Sequence, residues 1–373
     1  MNILITFLSA KLNVFGGMER SIYSLIKGLE YNNCNVYVYT AVSETEEDNF
    51  IYSKFLKNTF FEDTSLIDFN ILENYRNNSK VLRNEILSII DTRRIDYILV
   101  EDQLWGIIPH IDIMNNIKCK VGIVYHMYLQ KDLIIKTLQL PFVNYFAVSN
   151  DVRNKINQIN IYNKVIDLLP NSYNEEEFFE ITDIEKKKRI FCNTRLAENK
   201  GIEYLLNAYE KFHRKYYDYE LLLCGGEFHF GNRSKILYYI DSFLKKYPEL
   251  DGSITIMGNL EWEQIPEVIQ RSEIVVLPSG YESFGIAALE AIACGTTLIA
   301  TNVGNLPELI KDAGILIPYA NPEALYYAMR NVVENRELVN TLKNNCKKIR
   351  IQYEAKKIAR EFLLKIGEKI SNE

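Results

Sequence analysis

The sequence is poor in the residues that mark a metal site, a disulfide framework or a membrane span. Its 373 residues include four histidines and six cysteines. Cys34, Cys119, Cys192, Cys224, Cys294 and Cys346 are scattered, with no Cys-x-x-Cys pair and no paired His spacing. The pattern argues against zinc and for small buried thiols rather than disulfides. No run of about 18 apolar residues occurs, so no spanning helix is expected. A basic surplus is also missing: 43 Lys and Arg stand against 49 Asp and Glu, a net charge of −6. Nucleic acid would find no electrostatic footprint on such a chain, and none is expected as a partner.

What is present is a globular balance, 47% hydrophobic and 25% charged, in a chain long enough for two domains. The 25 tyrosines could stack on sugars, although a chain rich in Tyr, Asn, Ile and Lys can equally reflect coding bias. The opening MNILITFLSA, with no basic residue before Lys11, reads as a first strand rather than a signal peptide. ILITFL, NVYVYTAV, DYILV, KVGIVYH and YFAVS look like buried parallel strands separated by amphipathic helices. One such helix, GMERSIYSLIKGLE, puts Ile22, Leu25, Ile26 and Leu29 on one face. This is the pattern of a doubly wound α/β domain. After a polar stretch from Pro170 to Lys188 it restarts with RIFCN, YELLLCG, SITIMG, EIVVLP and TTLIAT.

The expected architecture is therefore two facing Rossmann-like domains with a cleft between them, residues 1–169 and 170–351. A terminal helix, about 352–373, would bury Ile358, Phe362 and Leu363 by packing back on the first domain. Thr45 to Lys80 fits the rhythm least well and reads as an excursion on that domain.

The most informative segment is LPSGYESFGIAALEAIACGTTLIATNVGNLPE, residues 277–308. A buried strand leads into a turn-rich loop, and FGIAALEAIACG follows as a helix closed by Gly295. Such a strand end is where α/β folds bind ligands, and a helix N-terminus offers free N–H groups to a phosphate. Gly285 would let a ligand approach the backbone. Glu282 lies in the loop and Glu290 about two turns into an apolar helix. A charge there needs a partner, whether a ribose diol or a buried cation. Arg195 follows a strand and Lys200 precedes Gly201 at the next helix. Two cations at a strand end suit a diphosphate, and by spacing alone they also read as exposed surface charges. Gly16 and Gly17, in FGGMERS, could border an anion or simply make a turn. His126 ends a strand, where a packed structural histidine is an equal reading.

The flanking residues resolve much of this. Glu282-Ser283-Phe284-Gly285, Glu290-Ala291 and Gly304-Asn305-Leu306-Pro307-Glu308 resemble the Glu-x7-Glu signature of the retaining glycosyltransferases of family 4, glycosyl transferases group 1, with the GT-B fold. The resemblance implies that Glu290 holds the nucleotide ribose. It implies that Glu282 and the amides around Ser283, Phe284, Gly285 and Ile286 hold the transferred sugar and distal phosphate. Arg195 and Lys200 would neutralise the leaving diphosphate. Gly16 and Gly17 would border the donor, Gly225 and Glu227 would line the base and ribose pocket, and His126 would stand near the transfer centre. Asp102 and Gln103 are weaker acceptor-side candidates, and Asn171 matches a Pro-Asn motif at the domain junction.

The implied reaction is metal-independent hexosyl transfer from a nucleotide-diphosphate sugar, with a UDP-sugar the expected co-substrate. No Asp-x-Asp pair for a metal occurs. The acceptor would be a glycan or lipid-linked sugar of cell-envelope polysaccharide assembly. The expected location is cytoplasmic, with a lipid-linked acceptor bringing peripheral contact with the inner face of the membrane.

The chain departs from the family pattern at Thr194, Ser172, Thr297 and Asn305, where Gly, Gly, Pro and Gly are usual. Asn305 is expected to be mild because Asn tolerates left-handed angles. A non-catalytic GT-B partner subunit is the alternative. A GT-B epimerase suits the Glu282–Glu308 signature less well, and a dehydrogenase would need a Gly-x-Gly-x-x-Gly that Phe15–Arg20 does not supply.

Overall fold

The computed structural model describes residues 1–6, 17–40, 50–52, 79–101, 119–128, 131–141, 143–226 and 235–367. In chain order the first elements are β1 (Asn2–Thr6), α1 (Gly17–Tyr31), β2 (Asn35–Thr40), β3 (Phe50–Tyr52), α2 (Ser79–Arg93), β4 (Tyr97–Val100), β5 (Lys120–Tyr125), α3 (Lys131–Leu138), β6 (Val143–Ala147), α4 (Asn150–Asn157) and β7 (Ile166–Leu168). They are followed by β8 (Lys187–Asn193), α5 (Ile202–His213), β9 (Glu220–Cys224), α6 (Lys235–Lys246), β10 (Ile254–Gly258), α7 (Ile265–Arg271), β11 (Ser272–Leu277), α8 (Ile286–Ala293) and β12 (Thr297–Thr301). The last are α9 (Leu306–Ile310), β13 (Gly314–Ile317), α10 (Pro322–Glu334), α11 (Arg336–Arg350) and α12 (Ala355–Lys365).

The chain divides into two units, Met1–Ser172 with Ala355–Glu373, and Tyr173–Glu354. The first holds a parallel sheet in the order β3-β2-β1-β4-β5-β6-β7, the second a parallel sheet in the order β10-β9-β8-β11-β12-β13. Both are doubly wound: strands are added to one side of the first strand, then to the other. Helices cover the faces, so the central strands are apolar along their length. Ile3, Leu4, Ile5, Ile98, Leu99 and Val100 are fully buried, as are Ile190, Phe191 and Ile274 to Val276.

The ten apolar runs expected as strands form β1, β2, β4, β5, β6 and β8 to β12. The sequence reading overlooked β3, β7 and β13, of three, three and four residues. All three are edge strands. Too short to show a period, they take their conformation from the neighbour they pair with. Of the 45–80 excursion, residues 45–49 and 53–78 lie outside the described residues.

Helix starts follow local chemistry. Ser149 caps α4 by accepting from Val152 N–H at 3.2 Å. Asn321 and Asn335 cap α10 and α11 in the same way, with Pro322 at the first turn of α10. Among the described residues no helix is long and apolar enough to cross a membrane. All six cysteines are free, five of them buried. Burial pushes the Cys119 thiol up to about 11 and the Cys346 thiol to about 12, and raises Cys192 and Cys294 further. These four are thiols near neutral pH.

Helix α12 belongs to the first unit. It buries Ile358, Ala359, Phe362 and Leu363 there. The Phe362 ring lies edge-on to Tyr97 and Phe146, at 5.6 and 5.5 Å. Its close approach to α1 depends on Gly28, because a Cβ there would sit 2.1 Å from the Ala355 carbonyl oxygen and 3.0 Å from Ala359 Cβ. Gly28→Val should therefore lower stability by about 1–3 kcal/mol, the usual cost of overpacking. An unchanged urea midpoint would contradict this packing.

Candidate functional site

The strand order of the second sheet reverses at β8, with β9 and β10 on one side and β11 to β13 on the other. Ligands of doubly wound sheets bind outside the carboxyl ends of the two strands at such a switch. Here those strands are β8 and β11. Lys200 follows the first, and Glu282 follows the second.

Two backbone contacts draw these segments together. Gly280 N–H donates to the Asn199 carbonyl at 2.8 Å. Gly201, at φ +69°, lies on the Pro278 carbonyl, where a Cβ would be 2.1 Å from the oxygen. Only a residue free to adopt this angle and lacking a side chain fits. The result is an ion pair, Lys200 Nζ to Glu282 Oε1 at 2.6 Å, with side chains 11% and 22% exposed. Lys200 is thus a buried, paired cation and not the exposed one that spacing alone allowed. Arg195 is exposed, one residue further along from Thr194.

The loop after β12 fixes Glu282 from a third side. Gly304, at φ +52°, presses against the Glu282 carbonyl, where a Cβ would be 2.0 Å away. Asn305 N–H donates to that same carbonyl at 3.0 Å, and Asn305 Nδ2 donates to the Phe284 carbonyl at 3.2 Å. This corrects the expectation for Asn305. Its φ is −87°, an ordinary right-handed value. The left-handed residue is Gly304, and Asn305 contributes its side-chain amide instead.

Gly285 precedes α8 at φ +99°, and no side chain caps the helix. The first-turn N–H groups carry the positive end of the helix dipole. The left-handed Gly285 delays the helix to Ile286, so Glu290 lies just over one turn in rather than two. Glu290 is 2% exposed, among Ala288, Leu289 and Ala291. After burial, its charge is the next cause of the raised Cys294 thiol. Phe284 is buried edge-on to Tyr353 at 5.8 Å, Ile286 is buried and Ser283 is half-buried.

Gly225 has a structural reason of its own: at φ +142° it passes the Thr194 carbonyl, where a Cβ would be 2.1 Å from the oxygen. Thr297 opens β12 and pairs with Ile274. Tyr319, just past the overlooked β13, covers Gly280, where a Cβ would meet its ring at 2.9 Å. Nothing in its sequence context marks it.

In the first unit Gly17 is the first residue of α1. Gly16, Asp102, Gln103 and Glu227 lie outside the described residues. His126 is buried, and its Nε2 is 2.7 Å from Glu101 Oε2. The sequence reading missed Glu101. Its signal was a charge directly after the four apolar residues of β4. Asn171 and Ser172 are both buried. Among the described residues no three His, Cys, Asp or Glu side chains gather as metal ligands.

Residues 174–349 match the family described as glycosyl transferases group 1. The match spans just under half of the chain. An uncharacterized glycosyltransferase of Methanocaldococcus jannaschii is 29% identical over 166 residues, 44% of this chain and 40% of its own. Alpha-maltose-1-phosphate synthase of Mycolicibacterium smegmatis is 32% identical over 138 residues, 36% of this chain and 34% of its own. The chain thus spans well under half the length of these two curated relatives. Among solved structures, sucrose-phosphate synthase from Thermosynechococcus elongatus superposes with a TM-score of 0.79 at 17% identity, over 98% of both chains. Anabaena HepE in complex with UDP and glucose gives 0.75 at 16% identity, over 98% of this chain and 99% of its own. The fold is GT-B.

Within the matched segment, the Lys200–Glu282 pair should couple energetically. A double-mutant cycle with Lys200→Met and Glu282→Gln, followed by urea unfolding, should give a coupling of about 0.5–3 kcal/mol. Additive effects would show that the contact is incidental.

Proposed function

We propose that this protein is a retaining family 4 glycosyltransferase that moves a hexosyl group from a nucleotide-diphosphate sugar to a hydroxyl of a glycan or glycolipid acceptor. A UDP-sugar is the first donor to test. The observation that carries the reading is the buried Lys200–Glu282 pair at the β8/β11 switch point, beside the uncapped N-terminus of α8. The sequence likeness to glycosyltransferases across the second unit supports it.

The chemistry follows from charge. As the bond from the anomeric carbon to the diphosphate oxygen breaks, negative charge grows on the leaving group. Lys200 and Arg195, with the first-turn amides of α8, stabilise that charge. These fixed cations are assigned the part that a divalent metal would otherwise play. Glu282 accepts hydroxyl donors of the transferred sugar, and Glu290, fixed one turn into α8, accepts the ribose diol. The acceptor oxygen bonds to the anomeric carbon on the face the diphosphate leaves, and its proton passes to the leaving phosphate oxygen. Envelope polysaccharide assembly is the setting this reading favours, with peripheral contact at the inner membrane face where the acceptor is lipid-linked.

Three outcomes test this reading. Lys200→Ala should lower kcat by about 10²-fold or more, as for loss of a group that stabilises leaving charge; turnover at the parental rate would remove Lys200 from the mechanism. Transfer should persist in EDTA, whereas its abolition and recovery with a divalent ion would reassign the leaving charge to a metal. Product NMR should show the donor's anomeric configuration, and an inverted linkage would contradict retention.

A further inference from the structure

We propose that Glu101 is a positioning residue of the first unit, holding His126 in the tautomer whose Nδ1 accepts a hydrogen bond from a ligand hydroxyl. The strand order of the first sheet reverses at β1, with β2 and β3 on one side and β4 to β7 on the other. Thr6 ends β1, Glu101 follows β4 and His126 follows β5, so the three residues lie on neighbouring strands at the carboxyl edge. That edge, at the switch point, is again the place where this class of sheet takes a ligand.

The three are 1%, 2% and 7% exposed. Glu101 N–H donates to the Thr6 carbonyl at 3.1 Å, which anchors the backbone of the pair to β1. The His126 Nε2 to Glu101 Oε2 contact is 2.7 Å. An ionised carboxylate can only accept, so the proton of this bond sits on Nε2. In the neutral ring Nδ1 is then an acceptor, and the bond to Glu101 fixes the plane in which its lone pair lies.

The pair is more than a structural bridge. His126 Nδ1, Glu101 Oε1 and Thr6 Oγ1 are all buried and have no hydrogen-bond partner. A buried polar atom left without a partner is destabilising. A buried pair kept for stability alone would have its remaining lone pairs satisfied. Two acceptors and one hydroxyl on adjacent strands match a ligand that presents several O–H donors, the chemistry of a polyol or sugar ring. A phosphate is a poor match, because the Glu101 carboxylate would repel it. That this ligand is the acceptor of glycosyl transfer rests on the function proposed above; the tautomer does not.

The test is therefore made on the ring itself. Long-range 1H–15N NMR of the full-length protein at pH 8, with the His126 signals assigned from His126→Gln, reports which nitrogen is protonated. The wild type should show a single form with the proton on Nε2 and a bare Nδ1. In Glu101→Leu, which removes the acceptor, and in Glu101→Gln, whose amide offers either an oxygen or an N–H, the ring should populate both tautomers. A proton on Nδ1 in the wild type, or the same single Nε2–H form in both variants, overturns the proposal. The Gln variant preserves shape and hydrogen-bonding capacity, so one folded variant remains if the Leu variant unfolds. In turnover assays, loss of positioning should lower kcat by about 10²-fold with the donor KM unchanged. Because the ring spectrum needs no turnover, its failure is distinguishable from failure of the glycosyltransferase reading.

Discussion

The site in the second unit depends on two peptide segments passing each other where one of them has no side chain. Gly201 rests on the Pro278 carbonyl, and Gly280 bonds to Asn199 across the same gap. That approach brings Lys200 to 2.6 Å from Glu282. Any Cβ at Gly201 would force the segments apart, and the cation would lose its partner. Gly304 repeats the device from the far side, against the Glu282 carbonyl. Three loops, after β8, β11 and β12, are thus locked around one carboxylate.

This locking explains how a charged pair persists in a mostly buried place. Desolvation of an ammonium and a carboxylate is costly, and mutual attraction offsets it only when the geometry is good. The pair is held by backbone that cannot easily move. A diphosphate reaching Lys200 would replace the Glu282 carboxylate as its counter-charge. Glu282 would then be released toward sugar hydroxyls, and the uncapped start of α8 would meet the phosphate. Under the proposed function, the pair would keep the cation satisfied until a donor arrives.

Much of this was legible in the sequence. Long apolar runs named ten of the strands, because a parallel sheet covered on both faces leaves a continuous signal. The Glu282 to Glu308 segment drew notice to the carboxyl end of β11, because its residue types and spacing are distinctive. What escaped notice was set by contacts between distant segments. The short edge strand Gly314–Ile317 acquires its conformation from β12, and Tyr319 beyond it gains a role only by lying on Gly280. The left-handed residue was sought at Asn305 and is Gly304, since the sequence does not say which of two neighbours must pass the Glu282 carbonyl. Glu101 was overlooked because, in one dimension, nothing links it to a histidine 25 positions away.

The central claim is that the Lys200–Glu282 centre at the β8/β11 switch point is a nucleotide-diphosphate site. Thermal unfolding with UDP-, GDP- and ADP-sugars, run side by side on the wild type and Lys200→Met, tests it most directly, since a ligand that binds only the folded state raises its apparent stability. The account predicts that at least one donor raises the wild-type midpoint and that the rise is lost in Lys200→Met. No rise with any donor, or an equal rise in the variant, would contradict it.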